Sequence, residues 1–294
     1  MNNFARPTHA SSDLLSFQEC LAKATSIVAL VGAGLSAPSG LSTFNSTDGI
    51  WSAHEAATLA TPEAFANDPR RVWQFYAQRR QDALEVQPNA GHYALAEASK
   101  RNAGWTTLSQ NVDGLSERAG HPLSQLILLH GTLFDVRCSD PIGCGYSSRD
   151  LANASTKPLE SGDSATTNDA ICCQQDRSGK DLEVAGCPQC DFPLRPGVVW
   201  YGEKLDAGVL EMVRECFSRP DGIDIMLVVG TSAEVYPAAG YINVARARGA
   251  RICVLNVDVR VKRQAGLRDG DWFFEGDASE LLPMLLGPII ATRG

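Results

Sequence analysis

The chain has 294 residues, 44% of them hydrophobic and 20% charged, with a formal net charge of −8 and a pI near 5.2. That length and apolar content sustain one large core, or one and a half domains, and the acidic balance argues against a protein that coats nucleic acid. No apolar run approaches a membrane span, and residues 1–16 contain no hydrophobic signal core. Nine cysteines without a secretion signal point to a reducing compartment, where thiols serve as metal ligands or core residues more often than as disulfides. Cytosol or nucleus is the expected location. Mitochondrial targeting is the less supported alternative, since Arg6 is the one fixed positive charge at that end.

Residues 14–25 carry apolar side chains at helical spacing and lead into Val28-Ala29-Leu30-Val31, an aliphatic run that reads as a buried strand. It stops at Gly32-Ala33-Gly34-Leu35-Ser36-Ala37, where glycines let the backbone turn sharply and approach a pyrophosphate. Gly32-x-Gly34-x-x-Ala37 fits a dinucleotide fingerprint, with the small Ala37 leaving room for packing on the strand. A dehydrogenase would place a second strand ending in an acid about 20 residues on. Residues 41–51 read instead as a loop, so hydride transfer is not expected.

Thr61-Pro62 and Asp68-Pro69 resemble helix starts, a polar cap before a proline in the first turn. Two helices are therefore expected after the loop, over 63–66 and 70–84, followed by a third over 90–100. The next strand, 105–109, ends in Gln110-Asn111-Val112-Asp113, and the strand 126–129 ends in His130-Gly131. Polar clusters at two strand ends predict one shared crevice, because an open parallel sheet binds ligands at its carboxyl edge.

Cys138, Cys144, Cys187 and Cys190 form two pairs separated by a long polar insert, the pattern of a closed structural zinc site without a catalytic role. The first pair is somewhat widely spaced. Residues 147–186, rich in Ser, Thr, Asp and Gly, are expected to be a mobile excursion that carries Cys172-Cys173. Cys20, Cys216 and Cys253 read as core thiols. Arg195 to Glu203 reads as an edge strand with half-buried aromatics, whose free edge could pair with an extended peptide. A helix over 206–217, a strand 225–229 ending in Gly230-Thr231-Ser232, a helix 238–248 and a strand 251–257 ending near Asn256 complete the alternation. The fold class is α/β, a doubly wound parallel sheet.

Gly32-Ala33-Gly34-Leu35-Ser36, Gln110-Asn111-Val112-Asp113, His130-Gly131, the two cysteine pairs, Val199-Trp200-Tyr201-Gly202-Glu203 and Gly230-Thr231-Ser232 occur in the order seen in sirtuins, and the chain resembles that family over residues 25–282. The resemblance implies a Rossmann-like NAD-binding domain made of 14–47, 89–134 and 196–288. A helical insertion, 48–88, and a zinc-binding module, 135–195, would complete the chain. It implies an NAD-dependent protein-lysine deacylase that consumes NAD and holds one structural zinc. NAD would contact Gly32, Ala33, Gly34, Ser36, Phe44, Trp51, Gln110, Asn111, Asp113, Gly230, Thr231, Ser232, Asn256 and Ala278. Asn111 and Asp113 match residues at the nicotinamide-ribose end, and His130 matches the base that activates a ribose hydroxyl.

Within the family the chain looks closest to the branch that removes succinyl, malonyl and glutaryl groups. Ala60, Tyr76, Arg79 and Pro88-Asn89-Ala90-Gly91-His92 carry that likeness. Tyr76 and Arg79 share one helical face and would receive the acyl carboxylate, while Val199 to Glu203 would hold the acyl-lysine segment. Partners implied are acylated lysines in extended protein segments, with no nucleic acid and no membrane. One departure is Ser42-Thr43-Phe44-Asn45, where the family has proline and arginine around the phenylalanine. Asn45 offers a short neutral amide instead of a cationic fork, which implies weaker NAD binding or slower turnover. General deacetylation, ADP-ribosyl transfer and an inactive NAD-binding module stay open as alternatives. His9, His54, His92 and His121 are read as ordinary histidines.

Overall fold

A computed structural model describes residues 10–42, 53–140, 142–149 and 184–291. The aliphatic run forms β1 (Ile27–Val31), buried at every position. A strand can be apolar on both faces only when helices cover both, as they do here. β2 (Trp105–Ser109) and β3 (Leu126–Leu128) extend the sheet on one side of β1, and β7 (Ile225–Val229), β8 (Arg251–Asn256) and β9 (Trp272–Glu275) on the other. The order is β3-β2-β1-β7-β8-β9, all parallel. The chain winds outward from β1 to β3 and later resumes beside β1 at β7. The topological switch therefore lies between β1 and β7, where a crevice opens at the strands' carboxyl ends.

Side chains alternate along the strands into two cores. Val28, Leu30, Met226, Val228 and Val254 face α7 (Ala207–Phe217) and α8 (Gly240–Ala247). Ile27, Ala29, Val31, Leu227 and Leu255 face α1 (Leu14–Leu21), α5 (Ala90–Arg101) and α10 (Ala278–Leu285). A third core joins α3 (Pro62–Asn67) and α4 (Pro69–Glu85) to a small antiparallel sheet of β4 (Gly131–Cys138), β5 (Ser147–Arg149) and β6 (Leu194–Val198), ordered β5-β4-β6. The two expected Pro-led starts are present: Thr61 accepts from Ala64 N–H and Asp68 from Arg71 N–H, each ahead of a proline in the first turn.

The structure departs from the sequence reading in several places. A further helix, α2 (Ala53–Leu59), precedes α3 and was not expected, although Ser52-Ala53-His54-Glu55 has the Ser-x-x-Glu spacing of a capping box. The extended segment from Arg195 ends at Val198, because Trp200 and Tyr201 enter a turn closed by Glu203 N–H donating to Trp200 C=O at 3.1 Å. Its aromatics are not both half-buried: Trp200 is 3% and Tyr201 47% exposed. Residues 147–149 of the supposed excursion form β5, and Gly186 bridges Pro193; residues 150–183, with Cys172-Cys173, lie outside the described residues. Ala37 is exposed, so its small side chain is not what lets the loop pack closely on the strand. Gly32 and Gly34 make the close approach instead, a Cβ on either meeting Gly230 or Thr231 at 2.7 Å.

Candidate functional site

The crevice at the switch point is built by two strand-end loops in contact. Gly32 N–H donates to Val229 C=O (2.9 Å) and Gly34 N–H to Gly230 C=O (2.8 Å). Gly230 itself has φ 57° and leaves 2.5 Å between a would-be Cβ and Gly34 C, so no side chain fits there. Gln110 Nε2 reaches Thr231 Oγ1 (3.0 Å), and Asn256 Nδ2 reaches Thr231 C=O (2.9 Å). Gly276 N–H donates to Asn256 C=O (3.2 Å), which places Ala278, the first residue of α10, beside the same end. Ala33 and Ser232 are half-buried on the rims. A glycine-lined cradle at parallel strand ends fits a dinucleotide pyrophosphate.

Ser36 is the hub of the adjoining wall. Asn89 N–H donates to His92 Nδ1 (3.3 Å), which puts the histidine's proton on Nε2. His92 Nε2 (3.3 Å) and Asn111 Nδ2 (3.2 Å) then donate to Ser36 Oγ, and Ser36 donates to Asp113 Oδ2 at 2.6 Å. Asn111 Nδ2 also donates to Gly32 C=O at 3.0 Å, and Leu115 N–H donates to Asp113 Oδ1 at 2.9 Å. Both lone pairs and the proton of Ser36 are engaged, so the position of Asp113 is set by four residues. Burial raises the Asp113 pKa, against the bonds from Ser36 and Leu115 that lower it. His92 is the satisfied buried histidine expected, and the structure adds which groups satisfy it. It is 1% exposed and part of this chain, and the signal was Asn89-x-x-His92, a capping box in which the histidine takes the glutamate's place. His121 is the core histidine expected, against Thr107 Oγ1 at 2.9 Å.

His130 follows β3 in the turn to β4. Its Nδ1 lies 3.0 Å from Gln110 C=O. A carbonyl only accepts, so Nδ1 carries the proton and Nε2 is the basic nitrogen. Burial lowers the His130 pKa, which keeps it neutral at physiological pH. Gly131 has φ 73°, and a Cβ there would lie 2.1 Å from Gly197 C=O. Only glycine lets the turn after His130 press against β6.

Helices α2 to α4 pack against β4 and β6 of the small sheet. Trp73 Nε1 donates to Leu194 C=O (2.8 Å), pinning α4 on β6. Ala60 is buried and its C=O accepts Tyr201 N–H at 2.9 Å. Tyr76 is 7% exposed, edge-on to Phe75 and 6.4 Å from the Trp200 ring, and burial raises its pKa. The Arg79 guanidinium lies 5.7 Å from the Phe75 ring centroid. Desolvation lowers its pKa against the opposing fields of Tyr76, Asp82, Asp113 and Tyr201. Arg79 thus feels the charge of Asp113 on the ordered wall as well as the groups beside it on α4. Val199 N–H donates to His130 C=O at 2.9 Å, so that turn is tied to the basic histidine. Glu203 faces inward: it takes Arg195 Nη1 (2.5 Å), Arg137 Nη2 (2.9 Å) and Trp200 N–H (2.8 Å). It braces the turn, and Gly202, with φ 84°, completes it.

Phe44, Asn45 and Trp51 lie outside the described residues. The four cysteines come together, with all Sγ atoms within 4.8 Å of one another and the closest pairs, Cys138–Cys190 and Cys144–Cys187, at 3.4 and 3.6 Å. Thiolates around a zinc bound at about 2.3 Å stand roughly 3.8 Å apart, so the set fits one tetrahedral ion with no open position. Among the described residues no helix is long and apolar enough to cross a membrane.

These features agree with comparisons to known proteins. The Sir2 family model matches residues 32–237. An NAD-dependent protein deacylase of Candida albicans is 39% identical over 304 residues, 95% of this chain and 99% of that protein. The mitochondrial NAD-dependent protein deacylase sirtuin-5 of Canis lupus familiaris is 37% identical over 290 residues, 97% of this chain and 87% of that protein. Among solved structures, a Sir2 homolog–NAD complex superimposes with a TM-score of 0.77 at 33% identity, covering 96% of each chain. With its glycine cradle, its ordered polar wall and its four-cysteine cluster, the chain belongs to the Sir2 family.

Proposed function

We propose that this protein is an NAD-dependent protein-lysine deacylase that prefers acidic acyl groups, namely succinyl, malonyl and glutaryl. Its products would be nicotinamide, the free lysine and 2′-O-acyl-ADP-ribose. NAD, when bound, supplies the ribose carbon to which the acyl oxygen is transferred. The chain's own residues do the rest. Gly32, Gly34 and Gly230 admit the phosphates, Asn111 and Asp113 hold the ribose end, and His130 Nε2 accepts a ribose hydroxyl proton. The turn from Val199 to Gly202 lines the entrance for the lysine segment, and Glu203 braces that turn from within.

The observation that carries the acyl preference is the desolvated Arg79 one turn from buried Tyr76 on α4, in the same small domain as the buried Ala60. A carboxylate entering an apolar tunnel costs several kcal/mol unless it meets a cation and a donor. Arg79 and Tyr76 supply both, and an acetyl group gains nothing from either. Arg79→Met should raise KM for a succinyl-lysine peptide by a factor equivalent to about 2–4 kcal/mol, with acetyl-lysine turnover equal or better. Mass spectrometry of one peptide carrying acetyl-, succinyl-, malonyl- or glutaryl-lysine, with and without NAD, measures this. A wild-type preference for acetyl, or an equal effect of Arg79→Met on both, would replace the proposal with a general deacetylase.

A further inference from the structure

The Trp200 indole is clamped on one face and unpaired at its nitrogen. The Arg195 guanidinium lies 3.3 Å from the ring centroid, and Arg195 is itself fixed by two contacts to Glu203, at 2.5 and 2.9 Å, and one to Val198 C=O at 3.2 Å. Around the same ring stand Phe65, at 5.3 Å between ring centroids, and Tyr76 at 6.4 Å. Trp200 is 3% exposed, and its Nε1–H makes no hydrogen bond of normal geometry among the described residues. A buried donor left unpaired costs about 1–3 kcal/mol, so its retention calls for a partner. The indole N–H is foremost among the groups that oppose the burial-driven rise of the Tyr76 pKa.

We infer that Trp200 is a positioning residue for the acyl pocket, its indole N–H donating to the Tyr76 oxygen when an acidic acyl group is bound, so that the Tyr76 proton points at the ligand carboxylate. The inference deepens the proposed preference for acidic acyl groups and rests on it. A phenol oxygen that accepts one hydrogen bond gives a stronger one, and the direction of its proton ceases to be free. Arg195 and Glu203 then have a role besides bracing the turn. They hold the indole plane so that Nε1 stays on the Tyr76 side.

The test is Trp200→Phe, which keeps an aromatic ring under Arg195 and removes the donor together with part of the indole's volume, a loss both acyl groups share, compared with Tyr76→Phe and with both together. Trp200→Phe should raise KM for succinyl-lysine at least fivefold more than KM for acetyl-lysine, with kcat for succinyl-lysine changed less than KM. In the Tyr76→Phe background it should add less than twofold to that ratio. Equal changes for both acyl groups, or full additivity with Tyr76→Phe, would overturn the inference. If Trp200→Phe does not fold, the wild-type indole resonances decide in proton–nitrogen spectra. One should move downfield with succinyl-lysine peptide and not with acetyl-lysine peptide, and no such movement overturns the inference. Arg79→Met in the same assay separates the two failures. Selectivity lost with Arg79→Met but kept with Trp200→Phe refutes this inference alone, and a wild type that prefers acetyl refutes both.

Discussion

Replacing His92 by glutamine tests the buried chain behind Asp113 through its pH dependence. His92 is 1% exposed, and burial depresses its pKa from 6.5 to about 4. The fold holds the neutral ring, because Nδ1 must keep a lone pair for Asn89 N–H while Nε2 donates to Ser36. Between pH 6.5 and 4 the unfolded chain therefore binds a proton that the folded chain refuses. The stability contributed is present above the unfolded pKa and is lost as pH falls toward 4. The displacement amounts to about 3 kcal/mol, of which about 2.5 kcal/mol is gone by pH 4.5. Burial shifts the Asp113 carboxyl upward, with the opposite sign, but Asp113 is present in both chains and drops out of the difference to first order. Urea unfolding followed by tryptophan fluorescence at several values between pH 7.5 and 4.5 reads the effect. His92→Gln should cost about 1 kcal/mol at pH 7.5 through the lost bond to Ser36, and then lose about 2.5 kcal/mol less than wild type on acidification. Parallel curves for the two proteins would refute the reasoning.

His130→Ala should lower deacylation by about 10²–10⁴ while NAD and peptide binding persist, since a missing base weakens the transition state far more than the ground state; near-normal turnover by the folded variant would remove His130 from its role. Because burial lowers its pKa, the acid limb of kcat/KM in the wild type should fall below the ordinary histidine value of 6.5, and a midpoint above it would contradict the assignment. Elemental analysis should find one zinc per chain, and chelation should disrupt the β5-β4-β6 sheet and its thiol cluster, activity declining only with that loss. Protein purified without chelator and free of zinc would contradict the metal.

Much of this architecture was legible before any coordinates. Period and punctuation were enough for β1 and β7, because a doubly covered strand that is continuously apolar must stop at polar or glycine residues. β2, with Thr106, Thr107 and Ser109, was legible instead from its place between Gly104 and Gln110. The Pro-led starts of α3 and α4 were legible for the same local reason, a missing N–H where none is needed. The residues brought to the crevice, Gly32, Gln110, His130 and Thr231, were legible as strand ends, since parallel strands deliver their carboxyl termini to one edge. α2 was missed although Ser52-x-x-Glu55 marks its start, because its seven residues are too short to show a clear apolar period. Nor was the turn at Trp200 legible, where ion pairs to Glu203 overrule an extended propensity.

The sequence by itself determined the order of strands and helices, the glycine-led loops, the four thiolates and the set of polar residues delivered to one edge. Those are consequences of local periodicity, backbone freedom and ligand chemistry, which act within a few residues. Only the tertiary structure decided that Gly32 and Gly34, not Ala37, take the close packing, because the partner that demands it, Gly230, is nearly 200 residues away. It likewise decided that His92 belongs to Ser36 and Asp113, that Glu203 faces its own protein, and that Arg79 is desolvated within reach of the Asp113 charge. Each of these depends on which distant group fills the space left by burial, and the desolvation that sets the pKa values of His92, Asp113 and Arg79 exists only once the chain has closed around them.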